Sequence, residues 1–385
     1  MKTERLRFLL RPAQTADHLM NDEDYMRRAI AAGRRTRGGT AENPAVGCVI
    51  VKDGAIVAVA ATGEGGRPHA ETIAIEMAGD AARGATAYVT LEPCSHYGRT
   101  PPCADALVAA GVARVVTALE DPDPRVSGQG HARLRQAGVE VAEGVLAEAV
   151  RHELRGYLMR RCNNRAYVTL KLAVSSDGKI AEKPGQPTSI TGPEVKARVH
   201  LLRARADAIM VGVSTVLADD PDLTCRLPGM ADRSPVRVVS DSKLSIPLDS
   251  KLVRTARTVP VWIMTVEGAN VARKAALEAE GVEVIACKAS ADGKVDLADM
   301  LEMLAARGIG HVFAEGGAHM ARALVEVDLV DEVLLFTAPK KIGPQGLDAM
   351  AGLPLDAVRA SRLYRAAGEN EKLGADWLAR YVRVR

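Results

Sequence analysis

The sequence predicts an α/β protein with two domains, and three observations carry this prediction. Strand-like and helix-like segments alternate along most of the 385 residues, a length that suggests two domains or more. In the first part, helical patterns accompany nearly continuous apolar strands, as in a three-layer α/β/α domain. The alternation pauses around residues 162–164 and then resumes. We therefore expect a first domain over 21–150, a linker over 151–165 and a second α/β domain over 166–385.

The first domain is expected to begin with an amphipathic helix over 22–37. Two β-rich runs then flank Asp53-Gly54, a dipeptide typical of hairpin turns. A helix with His69 in its first turn follows, and then the strand "ATAYVTLEP", which ends in a loop rich in Pro, Gly, Ser and Thr. A helix from Cys103, the strand "ARVVTAL", the loop "EDPDPRVSGQG", another helix and a short strand complete the domain.

The second domain is expected to start with the long strand "AYVTLKLAVSSDG" and the helix "PEVKARVHLLRARA". Further strands and helices alternate up to "HVFAEGGAHMARALV", a strand followed by a Gly-Gly turn and a helix, and then the strand "DEVLLFTAP". No repeat of solenoid period is present. Free amides at the helix start after the Gly-Gly turn suit a phosphate group, although glycine pairs also end strands for structural reasons.

Composition excludes several classes of function. Aromatic residues make up only 3% of the chain and no long run of Lys and Arg occurs, so a nucleic-acid partner is not expected. The chain has neither a signal-peptide core nor an apolar run of membrane-span length. Its six cysteines show no disulfide framework, which indicates a cytoplasmic protein. Residues 1–20, ahead of helix-capping residues, are interpreted as a disordered extension or a start-site misassignment.

A catalytic zinc site is predicted around the loop "LEPCSHYGRTPPC". Such a site uses three protein ligands and leaves one position for water. Cys94 and Cys103 can supply two thiolates, and His69 of "PHAE" is the candidate for the third ligand. Glu71 can then transfer a proton from water to a leaving amine, which is the chemistry of hydrolytic deamination. The H-x-E…P-C-x-x-C signature of nucleobase deaminases is met except that eight residues, 95–102, separate the two cysteines.

Three alternatives remain open at this point. A structural zinc would need a fourth ligand, for which His96 is the nearest candidate, or the cysteines could be core residues. A deaminase acting on nucleic acid would need a basic, aromatic groove. A non-enzymatic protein with a structural zinc would be indifferent to the loss of Glu71, whereas a deaminase would not. The catalytic interpretation is favoured because the histidine, carboxylate and cysteines occur together.

The whole chain from about residue 21 resembles the bifunctional deaminase/reductase family of riboflavin biosynthesis. The matching segments, in order, are "NPAVGCVIVKDG", "PHAE", "AYVTLEPCSHYGRTPPC", "EDPDP", "KLAVSSDGKIA", "TVLADDP" and "FAEGG". The eight-residue spacer belongs to this family's pattern. The resemblance implies a cytidine-deaminase-like first domain and a dihydrofolate-reductase-like second domain. It implies zinc-dependent deamination of 2,5-diamino-6-ribosylamino-4(3H)-pyrimidinone 5′-phosphate, followed by NADPH-dependent reduction to 5-amino-6-ribitylaminouracil 5′-phosphate.

The resemblance also implies roles for residues of the first domain. Those that match zinc ligands are His69, Cys94 and Cys103, and the residue that matches the proton shuttle is Glu71. Those that match substrate contacts are Asn43, which suits a pyrimidine edge, His96 and Arg99 near the phosphate, and Asp121. Asp123 stands where the family has Asn. Without the resemblance, Asn43 could equally be an ordinary turn residue and Arg99 a solvated cation.

In the second domain, no G-x-G-x-x-G motif follows a strand, which argues against a Rossmann domain but not against NADPH. The residues that match substrate contacts are Arg203, Leu223, Arg226 and Glu315. Those that match cofactor contacts are Val174, Ser189, Thr215, Asp219, Ser242, Gly317, Ala318, His319, Met320, Ala321, Arg322 and Ala323. The chain departs from the family at 187–191, where Pro-Thr-Ser-Ile-Thr lacks the usual Ser-x-Trp. The expected partners are small phosphorylated pyrimidines, without nucleic acid or membrane, and homo-oligomerisation is left open.

Overall fold

The computed structural model describes residues 20–97, 101–183 and 188–384. Two large sheets organise this part of the chain, one of five strands and one of ten. Two further short strands pair with each other in a third sheet. The expected alternation of helices and strands is therefore present in both halves.

The first half is built around the five-stranded sheet. Its elements are α1 (Asp22–Arg34), β1 (Gly47–Lys52), β2 (Ala55–Ala61), α2 (Ala70–Ala78), β3 (Thr86–Val89), α3 (Cys103–Ala109), β4 (Arg114–Thr117), α4 (Gln129–Gln136), β5 (Glu140–Ala142), α5 (Ala147–Glu153) and α6 (Arg155–Asn163). The strand order is β2-β1-β3-β4-β5. The hairpin β1–β2 and the pair β1–β3 are antiparallel, whereas β3, β4 and β5 run parallel.

The parallel pairing of β3 with β4 positions the site. Because the carboxyl ends of parallel strands lie at the same sheet edge, the loop after β3 and the loop after β4 become neighbours. The first of these loops carries Cys94, and the second carries Asp121. The start of α2 packs near the same edge through contacts of this helix with α3. The predicted zinc ligands and the predicted substrate contact Asp121 thus lie at the same edge of the sheet.

The second half is built around the ten-stranded sheet. Its elements are β6 (Tyr167–Val174), β7 (Lys179–Ala181), α7 (Pro193–Arg203), β8 (Ala208–Gly212), α8 (Val213–Asp219), β9 (Val236–Ser240), α9 (Lys251–Arg254), β10 (Val261–Val266), α10 (Val271–Ala279), β11 (Glu283–Cys287), α11 (Leu297–Ala306), β12 (His311–Ala314), α12 (Ala318–Glu326), β13 (Glu332–Thr337), β14 (Leu347–Asp348), α13 (Asp356–Arg359), β15 (Tyr364–Ala366), β16 (Glu371–Leu373) and β17 (Asp376–Arg383).

The central path of this sheet is β11-β10-β9-β8-β12-β6-β13-β17-β15, and β16 also pairs with β17. Strands from β11 to β13 run parallel, and β17 is antiparallel to β13. The parallel strands are almost wholly buried, as expected for a sheet covered by helices on both faces. Their carboxyl ends, including those of β6, β8 and β12, meet at one edge.

Candidate active sites

Two of the predicted zinc ligands lie at helix starts, and the third lies in a loop. His69 is the N-cap residue of α2, in an extended conformation that leaves its side chain outside the helix. Cys103 is the first residue of α3, directly after Pro102. Cys94 lies in the loop between β3 and α3, and the Cys103 backbone N–H donates to its Sγ at 3.3 Å. The loop is therefore fixed at both of its cysteines.

The three ligand atoms have the separation that zinc requires. Nδ1 of His69 lies 3.7 Å from Sγ of Cys94 and 3.3 Å from Sγ of Cys103. With Zn–S bonds of about 2.3 Å and Zn–N bonds of about 2.0 Å, tetrahedral geometry places sulfur and nitrogen about 3.5 Å apart. All three ligand atoms lie within 4.8 Å of one another. The donor set and its spacing therefore fit a tetrahedral zinc ion.

A fourth protein ligand is not part of this cluster in the described chain. Among the described residues, the only group of three or more His, Cys, Asp and Glu side chains with metal-ligand spacing is His69, Cys94 and Cys103. His96, the candidate for a closed structural site, is not one of them. Three ligands with an open position are typical of catalytic zinc, whereas structural zinc has four.

The protonation of the cysteines favours metal binding. A hydrogen bond from the thiol of Cys103 and another from His69 lower the pKa of Cys94 to about 4, although burial opposes this. The hydrogen bond to Cys94 and burial raise the pKa of Cys103. One thiolate is therefore already formed near neutral pH, and metal binding displaces the second proton, since zinc binds the thiolate form.

Glu71 lies beside the cluster in the first turn of α2 and is 4% exposed. Burial and the charge of Cys94 raise its pKa to about 7, while His69 lowers it. A carboxyl group with a pKa near neutrality can both accept and return a proton. Glu71 is thus the candidate general acid and base of this site.

Two predicted substrate contacts lie on segments that also carry zinc-ligand candidates: Asn43 contacts the segment that leads into His69, and His96 lies two residues after Cys94. A Cβ atom added at Gly66 would lie 2.3 Å from Nδ2 of Asn43, so only glycine allows the Asn43 amide this close to the segment leading into His69. Gly66 also has φ of +87°, which disfavours other residues. Nδ1 of His96 is buried and has no hydrogen-bond partner among the described residues. Arg99 lies outside the described residues.

Asp121 and Asp123 have different environments, although they lie two residues apart. Asp121 is buried and accepts from the Tyr157 hydroxyl at 2.7 Å and from the Asp123 amide at 3.0 Å. Asp123 forms ion pairs with Arg125 at 2.7 Å and Arg161 at 3.4 Å, and the hydrogen bond from Arg125 lowers its pKa to about 2. Asp123, which stands where the resemblance leads us to expect asparagine, is therefore neutralised by two arginines of this chain.

A cavity of about 420 Å³ lies at the carboxyl edge of the second sheet. Seven of the predicted site residues line it, namely Ser189, Arg203, Thr215, Asp219, Arg226, Glu315 and Gly317. The Gly317 amide donates to the hydroxyl of Thr215 at 3.0 Å, which joins the Gly-Gly turn to α8. This cavity has the size and the mixed lining of a cofactor or substrate site.

The remaining predicted residues of the second domain lie outside the cavity lining. Val174 is buried at the end of β6, Leu223 is buried with φ of +54°, and the Ser242 hydroxyl accepts from the Val295 amide at 3.0 Å. Residues 318–323 form the first two turns of α12, where Ala318 and Ala321 face the core and His319 and Arg322 are not buried. Arg322 bonds to Glu326 and to the carbonyl of Ala351.

The departure at 187–191 lies at the wall of this cavity. Pro187 is outside the described residues, but 188–191 all line the cavity. Ser189 therefore lines the wall at the position where the resemblance leads us to expect a tryptophan. The cavity persists without the tryptophan ring.

Glu315 is held between two cations at the end of β12. Arg203 donates to both of its carboxylate oxygens, at 2.6 Å and 3.1 Å, and Nζ of Lys171 lies 3.8 Å away. Burial raises the pKa of Glu315, but the charges of Arg203 and Lys171 lower it by more than burial raises it, so the net effect is a lowered pKa. The carboxylate therefore stays ionised within a cluster of fixed charges.

Lys171 and His200 are cavity residues that were not predicted from the sequence. Both line the cavity, and His200 stands between Arg203 and Arg226, with Nδ1 3.2 Å from the Arg226 amide nitrogen. The signal for Lys171 was present, because a single lysine interrupts the apolar strand "AYVTLKLAV". The charged residues around His200 follow the pattern of an ordinary solvent-exposed helix, so the sequence did not indicate that His200 lines a cavity.

These two sites define a protein class, a zinc deaminase domain joined to a reductase domain. Residues 19–119 match the family model for the cytidine and deoxycytidylate deaminase zinc-binding region. Residues 166–365 match the RibD C-terminal domain. The riboflavin biosynthesis protein RibD of Escherichia coli is 41% identical over 87% of this chain and 92% of its own length. That of Actinobacillus pleuropneumoniae is 42% identical, over 94% and 96% respectively.

Solved structures agree. Acinetobacter baumannii RibD is 34% identical, covers 94% of this chain and 99% of its own, and superposes with a TM-score of 0.84. The diaminohydroxyphosphoribosylaminopyrimidine deaminase/5-amino-6-(5-phosphoribosylamino)uracil reductase of Thermotoga maritima is also 34% identical, with the same coverage and a TM-score of 0.81. The chain belongs to the RibD family of riboflavin biosynthesis proteins.

Family membership confirms several predictions made from the sequence. The fold comprises a cytidine-deaminase-like α/β domain and a reductase domain of the dihydrofolate-reductase-like α/β class. The protein is a bifunctional enzyme of riboflavin biosynthesis that deaminates and then reduces. The first domain matches a zinc-binding deaminase region and presents a ligand cluster that fits zinc. In the described part of the chain, no helix has the length and apolarity needed to span a bilayer.

Proposed function

We propose that His69, Cys94 and Cys103 hold the zinc ion and that Glu71 moves the proton in the deamination. The observation that carries this proposal is the spacing of the three ligand atoms, with the buried Glu71 carboxyl beside them. Zinc bound by these residues supplies the Lewis acidity that activates water. Glu71 accepts a proton as the water oxygen bonds to the amino-bearing ring carbon. It then returns a proton to the amino nitrogen, and ammonia leaves as the C–N bond breaks.

The substrate proposed for this site is the phosphorylated diaminopyrimidine named for the Thermotoga maritima relative. Asn43 offers a donor and an acceptor to the pyrimidine edge, and Asp121 offers a fixed acceptor. His96, whose buried Nδ1 lacks a partner among the described residues, and Arg99 are proposed to contact the phosphate. A small phosphorylated pyrimidine is thus the proposed partner, in the cytoplasm.

The cavity of the second domain is proposed to bind the deaminated product and NADPH together. Arg203, Leu223, Arg226 and Glu315 are proposed substrate contacts. Thr215, Asp219, Ser189 and the amides after the Gly-Gly turn are proposed cofactor contacts, together with Val174, Ser242 and residues 318–323. The two activities are assigned to residues 21–150 and 166–385. Most of the proposed substrate contacts line the same cavity as the proposed cofactor contacts Ser189, Thr215 and Asp219. This supports simultaneous binding, because hydride transfer needs the cofactor beside the ribose carbon.

A two-step assay tests this assignment. The purified, zinc-loaded protein receives the diaminopyrimidine phosphate alone, and NADPH is added after ammonia release has stopped. We expect ammonia in the first step and loss of NADPH absorbance only in the second. Ammonia without NADPH oxidation would limit the proposal to the first domain and implicate the altered 187–191 segment. No ammonia from the zinc-loaded protein would contradict the proposed substrate.

A further inference from the structure

Glu92 is a fully buried carboxylate at the start of the zinc loop, residues 91–103. Its side chain has 0% exposure, two residues before Cys94. It accepts four backbone N–H bonds, two at each oxygen. The donors to Oε2 are Asp121 at 3.1 Å and Gly128 at 3.0 Å, and those to Oε1 are Gly130 at 2.8 Å and His131 at 3.2 Å. All four donors belong to one segment, residues 121–131.

No lysine or arginine of the described chain forms an ion pair with this carboxylate. The imidazole of His131 is at 3.9 Å, beyond hydrogen-bond distance. A buried carboxylate is stabilised here by backbone dipoles, including the first turn of α4. A glutamine in its place would keep one oxygen and turn an NH₂ group toward two of the four amides. The site therefore requires a carboxylate, not merely a side chain of that shape.

The contacts of Glu92 join two parts of the deaminase site. On one side is the loop that carries Cys94, and on the other is the segment that begins with Asp121. The two approach so closely that a Cβ atom added at Gly130 would lie 2.0 Å from the carbonyl oxygen of Pro93. Arg133 adds a hydrogen bond to the Ser95 carbonyl at 2.8 Å. Among these contacts, only that of Glu92 reaches the Asp121 amide itself.

We propose that Glu92 is a positioning residue of the deaminase, which fixes Asp121 relative to the zinc loop through the backbone of residues 121–131. This inference rests on the proposed role of Asp121 as a substrate contact. Loss of the carboxylate leaves the zinc ligands in place, because none of them bonds to Glu92. It loosens the segment that orients the substrate, and so weakens binding more than the chemical step.

The test compares Glu92→Gln with the wild type, with Glu140→Gln as a matched control. Glu140 is 69% exposed in the same domain, so it controls for the chemical change. Bound zinc, ammonia release against substrate concentration, and NADPH oxidation on the already deaminated substrate are measured on each protein. For Glu92→Gln we expect one zinc per chain, unchanged reductase activity, kcat within about threefold, and KM raised roughly tenfold or more, the effect of losing a charge-assisted hydrogen bond. The control should match the wild type.

A double-variant cycle separates positioning from a general loss of structure. If Glu92 acts through Asp121, Glu92→Gln should raise KM little further in an Asp121→Asn background. Glu92→Asp, which keeps the charge on a shorter side chain, should raise KM less than Glu92→Gln. An unchanged KM, multiplicative effects in the double variant, or loss of zinc and of both activities would each overturn the inference. A zinc-loaded wild type that released no ammonia would overturn the proposed function, and this inference with it.

Discussion

Sγ of Cys103 lies 3.3 Å from Nδ1 of His69, although 34 residues separate them in the chain. His69 is placed by the start of α2 and Cys103 by the start of α3, and these helices pack against each other. Helix starts held by packing are rigid, so the ligand spacing is a property of the fold. The metal site is therefore largely pre-formed by the packing of the domain.

Cys103→Ser should abolish both zinc binding and deamination. Serine replaces the thiolate with a hydroxyl that zinc binds poorly, and two ligands do not hold a catalytic zinc. Zinc content and ammonia release measure the effect. Cys48→Ala is the control, because Cys48 is a buried strand residue outside the ligand cluster and its loss should leave one zinc per chain. Full zinc content in Cys103→Ser would contradict the ligand assignment.

Glu71→Gln should remove deamination and leave zinc bound. Glutamine keeps the shape of the side chain but cannot transfer a proton, and general acid–base catalysis contributes about 10²–10⁴-fold to such rates. Ammonia release should fall by that factor, while NADPH oxidation on the deaminated substrate stays at the wild-type rate. A rate within about threefold of wild type, a small change beside that general contribution, would show that another group moves the proton.

Glu315→Gln should damage the reductase alone. It removes the charge to which Arg203 donates two hydrogen bonds and leaves Lys171 without its counter-charge. Hydrogen bonds to charged groups contribute about 1.5–3 kcal/mol, so kcat/KM for NADPH oxidation should fall roughly tenfold or more. Glu278→Gln, at an exposed pair on α10, is the control. A parallel loss of ammonia release would contradict the separation of the two sites.

Glu153→Gln should lower stability in a pH-dependent way. Burial raises the pKa of Glu153, but Arg37 and Arg34 lower it by more than burial raises it, so that the pKa is about 2. A carboxyl whose pKa falls on folding contributes stability that is complete above the unfolded pKa and is lost as pH falls through the folded pKa. The contribution at pH 7 is about 3 kcal/mol, because lowering a pKa by one corresponds to about 1.4 kcal/mol. The variant should therefore unfold at lower urea concentration at pH 7.

The difference in urea midpoint between wild type and Glu153→Gln should shrink as pH falls from 4.5, the ordinary pKa of a glutamate, toward about 2. Glu148→Gln on the same helix is the control, because Glu148 is 89% exposed and its pair with Arg151 contributes little. A destabilisation that stayed constant from neutral pH down to the folded pKa would show that lost packing, and not the ion pairs, is responsible.

The sequence predicted the parts of each site that carry a distinctive chemical pattern. The histidine, carboxylate and cysteines of the first site could be assembled because their residue types and the β3–loop–α3 order point to one chemistry. Lys171 was predictable only as a charge within an apolar strand. Glu92 was not, because its four partners are backbone amides, which any sequence supplies.

The end of the fold was also beyond sequence reasoning. Strands β15 to β17 complete the second sheet, yet "DWLARYVR" of β17 mixes charged and apolar residues. Its place is set by pairing with β13, with Glu332 opposite Val382 and Thr337 opposite Trp377. Pairings between distant segments depend on the assembled core and leave no local signature.

The most direct test of the central claim is ammonia release by zinc-loaded and metal-stripped protein on the diaminopyrimidine phosphate. NADPH oxidation on the deaminated substrate is followed in the same samples, to show that stripping leaves the second domain intact. We predict that stripping abolishes ammonia release, that one equivalent of zinc per chain restores it, and that NADPH oxidation does not change. Deamination at the full rate by metal-free protein would contradict the assignment of His69, Cys94 and Cys103 as the catalytic zinc site.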